Sequence, residues 1–254
     1  MDVSTAFYLL LLFDLVYSQE ITFGRPVQIA RMPPDDLYYF SYDTSSSKAK
    51  LKHDSNVESW IIHSPGLNNR DGTISIESWE KRGFFLRRRS DTDDAKVYLE
   101  SITNGPNFET FYEDATFTLV PNPGGYKSIY ISFEDSMGRL MRHGVGSGRL
   151  LKFNPSSKAD FDMRASYQIL NATVSHSCQN GWISYSSHCY KVIGGATYSQ
   201  SEAENECQNF NGHLVSIATE EDEAVIVGIS VLNGLNKFWL GLTFDVQGTS
   251  TWTD

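Results

Sequence analysis

A single carboxylate, Asp114, lies at the start of an alternating stretch of the chain and is the first side chain whose chemistry suggests binding. The stretch reads YEDATFTLVP from Tyr112 to Pro121, and apolar and polar residues alternate from Ala115 to Leu119. Such alternation is typical of a β-strand with one buried face. A carboxylate can accept two strong hydrogen bonds from neighbouring hydroxyl groups, or it can simply face water. The elements around Asp114 must decide between these roles.

Two other charged segments could also bind ligands. The basic run from Lys81 to Arg89 could attract sulfated or acidic glycans. We expect instead a solvated hairpin that is balanced by the aspartates at 91, 93 and 94. The acidic run Glu220–Glu223 could suggest a metal site, but acids are favoured at a helix start and we expect them to be solvated. No cysteine–histidine metal spacing, GxSxG motif or phosphate loop occurs in the sequence.

Length and charge set the broad class of the protein. The chain has 254 residues, enough for two ordinary domains, and a formal net charge of −10. This charge argues against a general nucleic-acid binder. Residues 1–18 resemble a secretory signal peptide, although Asp14 interrupts the apolar segment and an uncleaved N-terminal anchor is the alternative. We therefore expect a secreted, extracellular protein with no membrane span after signal removal.

Residues 21–170 are predicted to form one all-β unit with three lobes. Short alternating segments are separated by Gly, Pro, Asn and Asp clusters, and no long helical pattern appears. Three aromatic residues, Trp60, Phe117 and Tyr167, mark drifting copies of one repeat and are 57 and 50 residues apart. One copy could not bury its apolar face alone, so the copies are expected to close into a single core.

The character of the chain changes after Leu170. Residues 171–177 form a short polar linker, and Asn171 begins an N-glycosylation sequon. Two helices are predicted, with capping boxes starting at Ser199 and Thr219. A buried strand that includes Phe238 and Trp239 should follow, which makes residues 178–254 an α+β domain.

The three-lobed unit resembles the arabinofuranosidase-B-type carbohydrate-binding module (AbfB), a β-trefoil. The residues that carry the resemblance are GFFLRRR with FYEDATFTLVP, and GRLMRH with RASYQIL. In that family each lobe can hold an arabinofuranose side chain, using a His after the second strand and the Asp of DATF.

The resemblance implies a sugar site that is divided between two lobes. The middle lobe keeps Asp114 but has Arg88 in place of the His, and the third lobe keeps His143 but has Arg164 in place of the Asp. The first lobe offers neither residue type. The predicted sugar-binding residues are therefore Asp114, Arg88 and His143. The alternatives are a paired or solvated acid for Asp114 and a half-exposed surface histidine for His143.

The last part of the chain resembles a C-type lectin-like domain, through CQNGWISYSSHCY, FWLGL and TWTD. The resemblance implies a disulfide between Cys178 and Cys189 and leaves Cys207 unpaired, because no later cysteine exists. It also implies that the chain stops before the segments that bind calcium. We expect a C-terminally truncated domain with no cofactor, and calcium only if the missing half were present.

Taken together, these features predict a secreted, lectin-like protein whose partners are glycans or glycoproteins. No catalytic domain is recognised, so no enzymatic activity is expected. Two alternatives stay open. The chain could be a non-catalytic accessory region of an α-L-arabinofuranosidase, or it could be a calcium-independent protein-binding scaffold.

Overall fold

The structure, a computed structural model, describes most of the chain beyond residue 20. The described residues are 21, 23–31, 38–53, 57–104, 107–122, 130–145, 149–154, 161–174, 178–186, 188–194 and 197–253. The predicted signal segment and the terminal Asp254 lie outside this part.

Twelve described strands fall into three groups of four. The first lobe contains β1 (Pro26–Arg31), β2 (Tyr39–Tyr42), β3 (Ala49–Lys52) and β4 (Trp60–His63). The second lobe contains β5 (Thr73–Ser78), β6 (Phe84–Arg88), β7 (Ala95–Ser101) and β8 (Phe117–Pro121). The third lobe contains β9 (Ile131–Glu134), β10 (Leu140–His143), β11 (Leu151–Asn154) and β12 (Tyr167–Asn171).

The strands form a closed β-trefoil. The first and last strands of the lobes pair antiparallel in a ring, in the order β1, β4, β5, β8, β9, β12 and back to β1. The middle strands of each lobe form three hairpins. The matched aromatics Trp60, Phe117 and Tyr167 all lie in one apolar core and are at most 2% exposed. The prediction of three lobes around a shared core is confirmed.

Two short helices correct the all-strand prediction for this unit. Helices α1 (Phe108–Asp114) and α2 (Phe161–Arg164) precede the last strands of the second and third lobes. Asp114 therefore ends a helix, and the strand begins only at Phe117. The Asn107 side chain caps α1 by accepting a hydrogen bond from the Glu109 amide at 2.9 Å, and Phe111 anchors the helix in the interior.

The C-terminal part forms a hairpin, two helices and a second hairpin. Its elements are β13 (Ile183–Tyr185), β14 (His188–Tyr190), α3 (Gln200–Gln208), α4 (Glu220–Leu232), β15 (Leu242–Phe244) and β16 (Ser250–Trp252). Both predicted capping boxes are present, at Ser199 and Thr219. Within the described chain, no helix combines the length and the apolar character needed to cross a bilayer.

The predicted buried strand at residues 236–244 is wrong. Only Leu242–Phe244 is a strand, and Phe238 and Trp239 are 44% and 48% exposed. The run of apolar residues predicts burial, but the described residues provide too little apolar surface to cover these two rings. The Trp239 indole N–H instead donates to the Tyr198 carbonyl at 2.8 Å.

Helix α4 packs on the trefoil. Its residues Val227, Val231 and Leu232 lie against an apolar cluster of the middle lobe that includes Phe85 and Phe111. The two modules are therefore in contact through a helix that the sequence pattern assigns to the second.

A buried carboxylate holds the turn on which α4 rests. Glu77 is 2% exposed and accepts hydrogen bonds from the Gly83 amide at 2.6 Å and from His63 Nε2 at 2.7 Å. Its other contact is an ion pair with Arg82 at 2.9 Å. Burial alone would raise the pKa of Glu77, but Arg82 and His63 outweigh it and lower the pKa to about 2.

We expect the stabilising effect of Glu77 to depend on pH. A depressed pKa contributes stability above the unfolded value of 4.5, and this contribution of about 3 kcal/mol is lost as the pH falls toward 2. Urea-unfolding midpoints of wild type and Glu77→Gln should therefore differ strongly at pH 7 and converge below pH 4.5. The exposed Asp71→Asn variant serves as the control. A gap between wild type and Glu77→Gln that stays constant with pH would contradict this account.

Candidate functional site

Each lobe presents two side chains at corresponding places. One is the last residue of the second strand, and the other lies three residues before the fourth strand. The pairs are Tyr42 and Val57 in the first lobe, Arg88 and Asp114 in the second, and His143 and Arg164 in the third. In the second lobe the pair is in direct contact, because Arg88 Nη2 donates to Asp114 Oδ1 at 2.9 Å.

Arg88 is buried among carboxylates. Its guanidinium is 5% exposed and pairs with Asp135 of the third lobe at 3.1 Å and with the exposed Asp91 at 3.0 Å, in addition to Asp114. A buried cation costs several kcal/mol unless anions compensate it. The ion pairs with Asp114 and Asp135 therefore join the second and third lobes through one side chain.

Asp135 is the most heavily hydrogen-bonded carboxylate of this cluster. Its Oδ2 accepts from Arg88 and from both Nε and Nη2 of Arg139, at 2.9 and 2.7 Å. Its Oδ1 accepts from the Met137 and Arg139 amides at 3.0 and 2.9 Å. Arg139 in turn donates to the carbonyls of Asp91 and Thr92. The cluster is thus hydrogen-bonded to the backbone of the third lobe through Asp135 and to that of the second lobe through Arg139.

Asp114 is less constrained than Asp135. It lies at the C-terminal end of α1, where the helix dipole disfavours an anion, so the arginines provide the compensation. Its Oδ2 has only a long contact to Arg87, at 3.4 Å, and its side chain stays 13% exposed. This oxygen retains capacity to accept a hydrogen bond from a ligand.

The basic run differs from the solvated hairpin that its sequence predicted. Arg82 and Arg88 are buried, and every arginine of the run makes an ion pair with a buried or half-buried carboxylate. The partners outside the Asp114 cluster are Glu77 for Arg82, and Glu100 for both Arg87 and Arg89. Because the charges of these arginines are matched internally, they do not form a free cationic surface for sulfated glycans.

An open groove of about 800 Å³ lies over Asp114 and Arg88. Tyr112 contributes an aromatic ring to its lining, and the amides of Asn68, Asn69 and Asn107 contribute polar groups. The side-chain amide nitrogen of Asn107, Nδ2, donates to no residue in the described part of the chain. The groove thus combines a carboxylate acceptor, amide donors and an aromatic wall, which are the groups that hold sugar hydroxyls and ring faces.

The charge of the groove favours a neutral ligand. Four carboxylates line it, on Asp91, Glu109, Glu113 and Asp114, against the single guanidinium of Arg88. An anionic group in the groove would meet this excess of negative charge at close range. The geometry therefore suits a neutral, hydroxyl-rich molecule.

His143 is not the half-exposed histidine that the sequence suggested. It is 6% exposed, and its Nδ1 lies 2.9 Å from the Gly144 carbonyl. Burial lowers the pKa of His143 to about 4, and the charges of Arg149 and Arg164 act in the same direction. The ring is neutral near pH 7, and its role in sugar binding stays a prediction.

The remaining predicted residues lie in the C-terminal part or at its border. Cys178 and Cys189 form a disulfide with a Cα–Cα distance of 5.7 Å, and Cys207 has a free thiol whose pKa is raised by burial. Asn171 is exposed at the end of β12. In the described chain, no group of three or more His, Cys, Asp or Glu side chains is placed to hold a metal ion.

Two groups of residues at the candidate site are not predicted by the sequence. Asp135 and Arg139 carry a weak local signal, a polar turn between β9 and β10, but the ion pair of Asp135 with Arg88 spans 47 residues and has no sequence pattern. Asn107 is recognisable as a helix cap once α1 is known.

Comparison with protein families divides the chain as its fold does. The model of the alpha-L-arabinofuranosidase B (ABFB) domain matches residues 35–169, and the model of the Lectin C-type domain matches residues 196–254.

The chain also has relatives among characterised proteins. It is 36% identical over 78 residues to one subunit of the snaclec salmorin of Gloydius brevicauda, covering 30% of this chain and 52% of the relative. It is 37% identical over 84 residues to the alpha subunit of the snaclec bitiscetin of Bitis arietans, covering 30% and 63%. The chain spans about half the length of the curated relatives it matches.

Among solved structures, an arabinofuranosidase complexed with arabinofuranosyl-alpha-1,2-xylobiose is 20% identical with a TM-score of 0.47, covering 62% of this chain and 33% of that one. The designed threefold symmetric protein ThreeFoil is 13% identical with a TM-score of 0.43, covering 58% and 99%.

We expect the two aspartates that hold Arg88 to differ in their effect on stability. Asp135→Asn leaves two buried guanidinium groups without their shared anion and should cost about 3–5 kcal/mol of unfolding free energy. Asp114→Asn leaves Arg88 paired with Asp135 and Asp91, so it should cost only about 1.5 kcal/mol. Urea unfolding of both variants under the same conditions measures the difference. Equal losses, or a larger loss for Asp114→Asn, would show that the assignment of the anchoring anion is wrong.

Proposed function

Because the chain belongs to the alpha-L-arabinofuranosidase B (ABFB) domain family, we propose that its middle lobe binds a neutral, arabinofuranose-containing glycan in the groove over Asp114. The observation that carries the proposal is that this groove is lined by Asp114, the aspartate that the resemblance to this family predicts to bind sugar in this lobe. The activity proposed is binding without turnover, in an extracellular protein whose partners are glycans or glycoproteins.

Three groups of the groove would each make a different contact with the sugar. Asp114 Oδ2 accepts a hydrogen bond from a sugar hydroxyl, because its contact with Arg87 is long. The Asn107 amide donates to a second hydroxyl. The Tyr112 ring covers the apolar face of the sugar.

The role of Arg88 is to orient the acceptor. Where the family pattern has a histidine, Arg88 donates to Asp114 Oδ1 and leaves the second carboxylate oxygen to face the groove. Its ion pairs with Asp114, Asp91 and Asp135 occupy both terminal nitrogens. We therefore assign Arg88 to positioning rather than to direct contact with the sugar.

A single shallow site implies weak binding. A groove this open buries only part of a ligand, so each site should have low affinity. Presentation of several copies on a surface or in an assembly would then raise the overall avidity.

Titration with an arabinoxylan oligosaccharide tests the proposal directly. Binding should be measured by calorimetry, with an unbranched xylo-oligosaccharide and heparin as comparison ligands. We expect binding of the arabinose-bearing probe, weaker or no binding of the other two, and an affinity at least about tenfold lower in Asp114→Ala. Asp93→Ala, an exposed acid of the same lobe that does not line the groove, is the matched control.

Two outcomes of this titration would count against the proposal. Heparin binding that exceeds the binding of the neutral probes would contradict the charge argument. Absence of binding to any glycan would favour a protein-binding scaffold instead. A parallel titration of His143→Ala decides whether the third lobe takes part, since unchanged affinity would restrict the site to the middle lobe.

A further inference from the structure

Helix α4 presents one continuous face to the trefoil. The residues on this face recur at intervals of three and one, which is the spacing of a single helical stripe: Ala224, Val227, Gly228, Val231 and Leu232. Ala224 is fully buried, and the last four positions pack on or beside the middle lobe. The residues in contact with the trefoil therefore lie on one side of the helix.

Two glycines set the closeness of this contact. Gly83 of the trefoil has a φ of +79°, and a Cβ atom at this position would overlap the Ala224 carbonyl of α4. A Cβ atom at Gly228 would lie 3.2 Å from Gly83 Cα and 3.8 Å from the Phe85 ring. A Cβ atom at Gly83 would overlap the helix backbone and one at Gly228 would make a tight contact, so the two glycines allow the backbones to approach this closely.

The surface under α4 is the same apolar cluster that supports the groove. Phe85 lies on β6, which continues to Arg88, and Phe111 lies on α1, which ends at Asp114. Tyr112, which lines the groove, also packs against this cluster. Helix α4 thus covers the apolar side of the elements whose polar side forms the groove.

Helix α1 depends on that cluster for its order. It has only seven residues, and a helix of this length is unstable in water without tertiary packing. Phe111 supplies its buried contact within the described chain, 1% exposed. Loss of the α4 contact would expose part of the cluster and loosen α1 together with Asp114.

We propose that helix α4 of the lectin-like segment is a positioning element of the middle-lobe groove, so that glycan affinity depends on its contact with Gly83. The inference deepens the proposed function and rests on it for the binding measurement. It does not rest on it for the order of α1, which is measured without a ligand.

Gly228→Leu is the variant that tests the contact with least disturbance of the trefoil. Leucine is a better helix former than glycine, so α4 should persist as a helix while its docking is blocked. Substitution of Gly83 is unsuitable because its positive φ would strain the trefoil turn itself. Glu223→Leu, which places the same residue on an exposed position of the same helix, is the matched control.

Hydrogen–deuterium exchange and titration with the arabinoxylan oligosaccharide provide two separate readouts. In Gly228→Leu we expect the backbone amides of residues 109–116 to exchange at least about tenfold faster than in Glu223→Leu. We also expect the dissociation constant for the oligosaccharide to be roughly tenfold higher. Amides of residues 224–232 report whether the helix has been released. Release of α4 with unchanged exchange of α1 and unchanged affinity would overturn the proposal.

A second variant covers the cases in which Gly228→Leu does not fold or does not release the helix. Val227→Ala/Val231→Ala removes apolar contact without a clash and should produce smaller changes in the same direction. Unchanged α1 exchange in this variant, with α4 more mobile, would again overturn the inference. If wild type binds no probe, the proposed function fails for those sugars, and the exchange of α1 alone decides the inference.

Discussion

Arg88 and Asp135 form an ion pair in the interior of the trefoil, and Arg88 also lines the groove. Both side chains are at most 5% exposed, so each would be strongly destabilising without the other. The guanidinium of Arg88 is paired with Asp114 at the end of α1 on one side and with Asp135 in the turn before β10 on the other. One buried cation therefore fixes the relative position of two lobes.

This constraint changes how Asp114 can act in recognition. A free carboxylate would have to lose water and select a rotamer when it binds a sugar hydroxyl. In the proposed site the rotamer of Asp114 is already fixed before binding, because Arg88 holds Oδ1 and leaves Oδ2 with one long contact. Fixed orientation of this kind favours selectivity, since hydroxyl groups that do not match the direction of Oδ2 gain little.

The sequence predicted those features that depend on local patterns. The drifting repeat located the three aromatic core residues, and the capping boxes at Ser199 and Thr219 located two helices. These signals are local or periodic, so one chain is enough to recognise them. The choice of Asp114 as the candidate acid came from a family pattern and not from periodicity.

Features that depend on tertiary contacts could not be predicted. The sequence does not predict helix α1 because a seven-residue helix has little periodic signal, and the burial of Phe111 that stabilises it is a tertiary contact. The basic run was expected to be solvated because nothing local indicates that Arg88 meets an aspartate 47 residues away. The exposure of Trp239 likewise follows from what surrounds it, which an apolar pattern does not specify.

Helix α4 belongs to the second module by sequence but packs on the first, so the boundary between the modules in sequence differs from the boundary in packing. The lectin-type match begins at residue 196 and includes the whole helix, yet one face of that helix lies on the trefoil. Its other side is also buried, at Val225, Ile226 and Ile229, so the apolar residues run around most of the helix. A helix that is hydrophobic on all sides is predicted to be buried, but this pattern does not identify the surfaces that pack against it. Here the close approach of Gly228 to Gly83 identifies that surface, and it makes the middle lobe part of the packing environment of the lectin-like segment.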